Sequence, residues 1–280
     1  MPQSFNDQVI EEFRANNGRV GGPFAGARLI LLTTTGRRSG RPHTTPVGFL
    51  PDGGERILVI ASAGGSPRHP AWYHNLLAEP EVQVEDGVFV FRARAQVLTG
   101  AERDEAFARA VEADPGWAEY QAKTDRVIPV VALVEVAAGP PVINSPSFAD
   151  GLKVVHDGFR RELATIRAEI AAAGPALGSQ LRMNCLTVCQ GLKNHHQGED
   201  QGLFPYLNAQ HPELKAVMDR LEREHESIAE LVEALRKLVA ETDAEPTALL
   251  AEFDRLAHEL EQHLTYEEEQ LIPVLAAAGG

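Results

Sequence analysis

Two stretches of the chain share one spacing of metal-ligating side chains. His195 and Glu199 are followed by Leu203, Phe204 and Pro205, and His263 and Glu267 by Leu271, Ile272 and Pro273. Both read H-x3-E-x3-L-[FI]-P. Residues four apart fall on one face of an α-helix, so each copy would aim an imidazole and a carboxylate the same way. The Leu eight positions after each His extends that inward stripe, and the Pro marks a stop or kink. A single H-x3-E is commonly a solvated helix pair; two copies with matching downstream residues are not. Two such helices face to face would supply two imidazoles and two bridging carboxylates, which suits a pair of iron or manganese ions in a helix bundle.

Those helices need partners, and the second half of the chain provides them. Helical patterns run over about 147–173, 178–209, 213–240 and 246–275, broken at 174–175, 211–212 and 242–245. Four helices with short turns predict an up-down-up-down bundle. The first adds His156, with Arg160 one turn on, and the third adds His225, so every helix offers a ligand-type residue near a shared level. The remaining histidines, His43, His69, His74, His196, His211 and His258, read by default as surface or packing residues. His196 and Asp200 form a shifted H-x3-D. Cys185 and Cys189 sit four apart on one helix, where a disulfide is geometrically poor, and read as reduced packing residues.

The other chemistry-bearing cluster is Thr33, Thr34, Thr35, Gly36, Arg37, Arg38, Ser39, Gly40 and Arg41. Glycines that let the backbone turn, with hydroxyls and three arginines, make a phosphate cradle; in isolation such a turn reads equally as a basic loop. Its neighbours are Ser62, Gly64 and Gly65 after a strand, then Arg68, His69, Pro70, Trp72, Tyr73 and Asn75 opening a helix. Pro115, Trp117, Tyr120, Arg126 and Pro129 follow later. The elements that would hold them are strands over 28–35, 43–50, 56–62, 82–85, 88–98 and 127–136. Asp86-Gly87 is a two-residue hairpin signal. Helices are expected over 6–17, starting at Asn6 or Asp7 with Ile10 and Phe13 inward, and near 70–78 and 101–113. Short, mostly antiparallel strands with few helices predict a small closed barrel.

At 280 residues and 44% hydrophobic content the chain is long enough for two domains with buried cores. The net charge of −14 is uneven: 14 basic and 17 acidic residues over 1–146, 12 and 23 over 147–280. Excess acid in the second half argues against nucleic acid and anionic membranes as partners. The N-terminus lacks the regions of a signal peptide and no apolar run approaches a bilayer span, so the chain reads as cytoplasmic with no stable membrane insertion. A Gly- and Pro-rich stretch divides it into expected domains 1–137 and 148–280 with a linker at 138–147.

The order T-T-T-G-R-[RK]-S-G, then A-S-x-G-G with H-P-x-W-Y-x-N, then Y-Q-x-x-T-x-R-x-I-P, resembles the deazaflavin-dependent nitroreductase family over about residues 5–137. That resemblance implies a split β-barrel binding a deazaflavin coenzyme of the F-420 type, with hydride passed to a quinone, a nitro compound or a related small-molecule acceptor. Thr35, Gly36, Arg37, Arg38, Ser39 and Gly40 would hold the coenzyme's phosphate and acidic tail, helped by Arg68. Ser62, Gly64, Gly65, Trp72 and Asn75 would line its ring, and Ser62, Trp117 and Tyr120 would border the reacting centre. Trp117 stands where members that reduce nitro drugs carry Tyr, and Ala63 where a Lys is usual. FMN is the alternative cofactor, because related split barrels bind it with a similar loop. Many of these proteins pair, which implies a homodimer.

The second half, about 150–275, resembles the hemerythrin-like HHE cation-binding family, an all-α four-helix bundle with a non-haem di-iron centre. The matching residues are His156, His195, Glu199, His225, His263 and Glu267. Ala229 stands where oxygen-carrying members have a second third-helix His, which would leave a metal position open to water or substrate. The whole reads as an α+β two-domain oxidoreductase, a split barrel followed by the bundle. Its di-iron centre would bind oxygen, peroxide or nitric oxide and match the two electrons of one hydride. The competing reading is an iron- or gas-sensing or metal-storing bundle that regulates the barrel.

Overall fold

In the computed structural model of the chain, residues 4–54, 56–136, 142–143, 145–173, 177–241 and 245–278 are described. They fall into two compact units, Met1–Asn144 with Gly178–Gln180, and Ser145–Leu177 with Leu181–Gly280. No helix among the described residues is long and apolar enough to cross a membrane.

The first unit opens with α1, Phe5–Ala15. Ser4 and Asp7 form a reciprocal capping box, each side chain accepting from the other's backbone N–H. This starts the helix earlier than expected from Asn6 or Asp7, and Val9 rather than Ile10 joins Phe13 as its fully buried residue.

Six strands follow: β1 (Leu29–Thr35), β2 (Pro42–Pro51), β3 (Arg56–Ile60), β4 (Glu81–Glu85), β5 (Phe89–Val97) and β6 (Val130–Glu135). Each pairs antiparallel with its neighbours in the order β4-β1-β2-β3-β6-β5, and β4 pairs β5 again, which closes the ring. Long β2 serves two neighbours, pairing β1 through Gly48 and β3 from Phe49. Ile30, Leu32, Val59, Val84, Val131 and Leu133 fill the inside with Trp72 and Leu76 of α2 (Ala71–Ala78). On the opposite faces of β3 and β6, Leu58, Ile60, Val130 and Ala132 pack on Ala106, Phe107 and Ala110 of α3 (Gly100–Ala113). Both faces of these strands are buried, which is why they read as continuous apolar runs rather than alternating ones.

Two elements depart from the expected layout. Residues 116–122 form a short helix, α4 (Gly116–Ala122), whose first turn is anchored by Asp114 Oδ1 accepting from Gly116 N–H. Val142–Ile143, inside the stretch read as linker, is a seventh strand, β7, adding to β5 opposite Phe89 and Val90. A β-branched pair beside an unfilled strand position pairs readily. Of the same stretch, 138–141 and 144 lie outside the described residues.

The second unit is helical: α5 (Phe148–Ala172), α6 (Ser179–Gly198), a π turn (Glu199–Leu203), α7 (Phe204–Gln210), α8 (Lys215–Ala240) and α9 (Pro246–Ala278). Ser147 caps α5 through Asp150 N–H. Ile166, Ile170, Leu192, Ile228, Leu235 and Phe253 lie in the core with both cysteines. The cysteines are free, and burial pushes each thiol up to about 12, consistent with a packing role. Of the expected breaks, 174–175 and 242–244 lie outside the described residues.

The two H-x3-E copies are not equivalent in backbone. In the first, Pro205 has no N–H to donate, and the ladder is interrupted just before it by the π turn, with Phe204 N–H reaching back five residues to Glu199 O. The extra residue shifts the inward stripe, so Phe204, not Leu203, is fully buried. In the second copy Leu271 is fully buried as expected, but Pro273 neither stops the helix nor marks its end: α9 continues to Ala278.

The turn at Asp86 and Gly87 tests the barrel's closure. Asp86 Oδ1 accepts from Val88 and Phe89 N–H, and Gly87 has φ 94°. A Cβ there would lie 2.6 Å from Gly18 Cα and 2.7 Å from Asn17 O. Gly87→Ala is therefore expected to lower the barrel's unfolding free energy by about 2 kcal/mol or more in urea melts. Gly26→Ala, with positive φ but open space around it, should cost clearly less.

Candidate functional site

Inside the bundle, His156 from α5, His195 and His196 from α6, Glu199 from the π turn, His225 from α8, and His263 and Glu267 from α9 converge. They form two groups whose ligand-type atoms lie within 4.8 Å of one another: His196, Glu199, His225 and His263, and His156, His195, Glu199 and Glu267. Glu199 is common to both. Its Oε1 lies 3.3 Å from His195 Nε2 and its Oε2 3.5 Å from His225 Nε2. Glu267 Oε2 likewise lies 3.4 Å from His156 Nε2 and 3.8 Å from His263 Nε2. Both carboxylates thus reach histidines of both groups.

The outer ring nitrogens are held by a surrounding layer of carboxylates. His156 Nδ1 meets Glu268 Oε1 at 2.9 Å, His225 Nδ1 meets Asp200 Oδ1 at 2.7 Å, and His263 Nδ1 meets Glu224 Oε2 at 3.0 Å. Arg160 Nη1 donates to the same Glu268 oxygen at 2.7 Å and fixes it in turn. A carboxylate accepts, so each Nδ1 carries the proton and each Nε2 turns a lone pair inward. His225 and His263 Nε2 then oppose each other at 3.1 Å, an arrangement that a cation between them makes favourable. His156, His195 and His196 Nε2 and all four oxygens of Glu199 and Glu267 are buried without a hydrogen-bond partner among the described residues. Burial, reinforced by the neighbouring imidazoles, lowers His195 to about 3 and lowers His196 as well. Burial and the nearby Glu267 carboxylate raise Glu199. Neutral imidazoles with carboxylates and no thiolate are a donor set for iron or manganese.

All six residues that sequence reasoning named are brought together, and two others join them. His196, assigned by default to packing, is 6% exposed and stacks on the His225 ring at 4.1 Å. It joins Glu199, His225 and His263 in one of the two groups. The adjacent pair His195-His196 was the available signal, but only the bundle geometry shows that both point inward. Asp200, four residues on, stands one layer out on His225.

In the barrel, a cleft of about 700 Å³ is lined by residues of the 36–40 loop and the start of α2. Gly36, Arg37, Arg38, Ser39, Arg68, Trp72 and Asn75 lie on it; Thr35, Gly40, Ser62, Gly64, Gly65, Trp117 and Tyr120 do not. A Cβ on Gly36 would sit 2.5 Å from Ser39 Oγ and 2.7 Å from the His43 ring, so both side chains would have to move to admit one. Asn75 is spent on the scaffold: its Oδ1 accepts from Arg37 N–H and its Nδ2 donates to Thr34 Oγ1. It therefore fixes the loop's shape from the barrel wall. No carboxylate pairs with Arg37, Arg38 or Arg68 among the described residues, which leaves three guanidinium groups facing the cleft. Gly64 and Gly65 belong to a turn packed on α4, where a Cβ on Gly65 would meet Tyr120 O at 2.8 Å. Trp117 and Tyr120 pack edge to face against the α3 core. Sequence reasoning gave no role to Arg126, which ties these pieces together: it donates to Ala61 O, Ser62 O and Ser66 O and reaches His69 Nδ1.

Residues 7–135 match the family model described as F420H(2)-dependent quinone reductase, and residues 147–275 match that described as Hemerythrin HHE cation binding domain. Over 125 residues the chain is 38% identical to the F420H(2)-dependent quinone reductase of Mycobacterium tuberculosis, covering 43% of this chain and 83% of that relative. A solved structure described as F420-H2 dependent reductase FDR-A shares 44% identity over 38% of this chain and 93% of its own, with a TM-score of 0.35. Another, described as a domain-swapped dimer, shares 40% identity over 45% and 92%, with a TM-score of 0.37. The identity extends over most of the relative's length, and on that ground the chain belongs to the F420H(2)-dependent quinone reductase family of oxidoreductases, with a hemerythrin HHE cation binding domain C-terminal to it.

Proposed function

We propose that the barrel binds a reduced deazaflavin coenzyme of the F-420 type in the 36–40 cleft and reduces a quinone with it. The bundle, beyond the 138–147 linker, holds two non-haem iron ions that bind oxygen, peroxide or nitric oxide. The observation that carries the first part is three guanidinium groups on one cleft without carboxylate partners among the described residues, Arg37 and Arg38 from a glycine turn braced by Asn75 and Arg68 from the segment before α2. Such groups suit a phosphate and an acidic tail. The similar F420H(2)-dependent quinone reductase of Mycobacterium tuberculosis supports the same assignment. The second part rests on five histidines and two glutamates gathered in two overlapping groups, with the Nε2 atoms of three of those histidines and all four glutamate oxygens buried and unpartnered among the described residues.

When bound, the coenzyme would supply a hydride and the metals would supply one-electron chemistry and an oxygen-binding site. The chain's residues do the rest. Arg37, Arg38 and Arg68 hold anionic oxygens, and Asn75 and Gly36 keep the loop in shape. Trp72 forms an apolar wall. In the bundle, His196, His225, His263 and Glu199 would hold one cation, and His156, His195, Glu199 and Glu267 would hold the other. Asp200, Glu224 and Glu268 fix the rings.

Cofactor choice is decided by fluorescence titration of the full chain with reduced deazaflavin and with FMN. Deazaflavin should bind tighter; tighter FMN binding defeats the assignment. Charge-assisted hydrogen bonds contribute about 1.5–3 kcal/mol each, so Arg37→Ala with Arg38→Ala should weaken binding by at least about tenfold.

Elemental analysis after anaerobic iron reconstitution should give about two irons per chain, from two overlapping ligand groups. His196→Ala and Glu199→Ala should each lower that count and His211→Ala should not. Asp200→Ala should weaken iron binding about 10–100-fold against a competing chelator, by releasing the His225 ring.

Coupling of the two sites is read by anaerobic stopped flow, following the diferric band after mixing with reduced deazaflavin. Bleaching should be fast in the wild type and slowed at least about tenfold in the Arg37→Ala, Arg38→Ala chain, in step with its weakened binding. Equal rates would mean the barrel does not feed the metals, which favours a sensing or storing bundle.

A further inference from the structure

The cleft carries one side chain whose protonation is dictated by its neighbour. His69 lines the cleft beside Arg68 and Trp72. Its Nδ1 lies 3.0 Å from Arg126 Nη1. A guanidinium has only N–H groups to offer, so Nδ1 must accept, and the single proton of the neutral ring resides on Nε2. Arg126 has no freedom to turn away: Nε donates to Ser66 O at 2.8 Å, and Nη2 to Ala61 O at 3.1 Å and Ser62 O at 2.6 Å. The ring is also held from the side by Tyr73, centroid to centroid 4.8 Å, and by His74 at 5.8 Å. Among the described residues Nε2 has no hydrogen-bond partner.

We propose that His69 is a fixed, neutral hydrogen-bond donor of the cleft, presenting Nε2–H to an oxygen of the molecule bound there. This deepens the reading of the barrel as a coenzyme-dependent reductase and rests on it. The groups facing His69 are Arg126 from the segment before β6, Tyr73 and His74 on α2, Arg68 beside it, and Arg37 and Arg38 across the cleft. None is a carboxylate that would favour an imidazolium. Burial, then Arg126 and His74, lower its pKa below the ordinary value. A neutral imidazole has no readily lost proton, so His69 acts by hydrogen bonding and not as a general acid. Two oxygens have the right chemistry: a phosphate or carboxylate oxygen of the coenzyme, or the acceptor's carbonyl oxygen, which gains negative charge as it is reduced. Arg126 is the positioning residue, acting through the tautomer it imposes.

The first test reads the tautomer without any ligand. Long-range ¹H–¹⁵N correlation of the labelled full chain should show His69 with Nε2 protonated and Nδ1 bare at neutral pH, and a titration midpoint below the ordinary imidazole value of about 6.5. The signal is assigned by its loss in His69→Gln. An Nδ1–H ring, or one that titrates with an ordinary midpoint, overturns the proposal.

The second test compares His69→Leu with His69→Gln, whose amide N–H₂ can stand where Nε2–H does. His69→Leu should lose about tenfold in one of two measurements, and His69→Gln should stay within about threefold of wild type. A loss in the Kd of reduced deazaflavin identifies the coenzyme's oxygen; a loss in kcat/KM for quinone at saturating coenzyme identifies the acceptor's. A His69→Leu chain equal to wild type in both measurements overturns the proposal. If the wild type binds FMN and no deazaflavin, the coenzyme assignment fails by itself, and the same ordering of the three proteins is then expected with FMN.

Discussion

Burying carboxylates among imidazoles in a helical core is the constraint around which the second unit is arranged. An ion removed from water costs on the order of several kcal/mol unless its charge and hydrogen bonds are matched. Here the matching is layered. The inner oxygens of Glu199 and Glu267 and the Nε2 lone pairs of His195 and His156 that they face are acceptors without a hydrogen-bond partner among the described residues, a set that a cation would match. Asp200, Glu224 and Glu268 sit nearer the solvent and hold the Nδ1 side. Each histidine so held is pinned at two points, which fixes both its rotamer and the direction of its lone pair. Apolar residues above and below, Leu192 and Ile228 in one cluster and Phe204 and Leu271 in another, keep water from relaxing the arrangement. The polar layer therefore specifies how the helices align, and the apolar layers supply the stability.

The barrel solves the opposite problem. Its polar groups must stay available, so the scaffold rather than the ligand site absorbs the hydrogen bonds. Asn75 satisfies one loop N–H and one strand hydroxyl and leaves the arginine side chains free. Arg126 gathers three carbonyl oxygens of the 61–66 segment and has one N–H left to orient a ring. In both places a buried side chain with several hydrogen-bonding atoms determines the backbone of a loop that short-range propensity leaves open.

What the sequence made legible follows from range. His195 with Glu199 and His263 with Glu267 are four apart, a spacing a helix enforces, and the closed barrel was readable from strands bounded by turn residues. His196 was not readable, because its inward direction depends on how α6 faces α8, where its ring stacks on His225. The shift from Leu203 to Phe204 was hidden for another reason: a π turn adds a residue to a helix without altering its composition. Val142 and Ile143 gave too short a signal to be told from linker. His69 looked like any single histidine, since the residue that gives it a role lies 57 positions away.

The strand order also bears on how the protein is made. β6 lies between β3 and β5, and β3 and β6 pair through Ile60 and Val130. The ring therefore cannot be completed until residues as late as Glu135 have left the ribosome, and the long-range pairing then requires slow loop closure. The bundle that follows depends largely on helices built from local contacts, which form much faster. A nascent chain thus carries an open sheet, with unpaired β3 and β5 edges, from the completion of β5 at Val97 until Val130–Glu135 emerge. The alternation of Arg92 and Arg94 with smaller residues along β5 places charge on that waiting edge, where it discourages pairing with a second nascent chain.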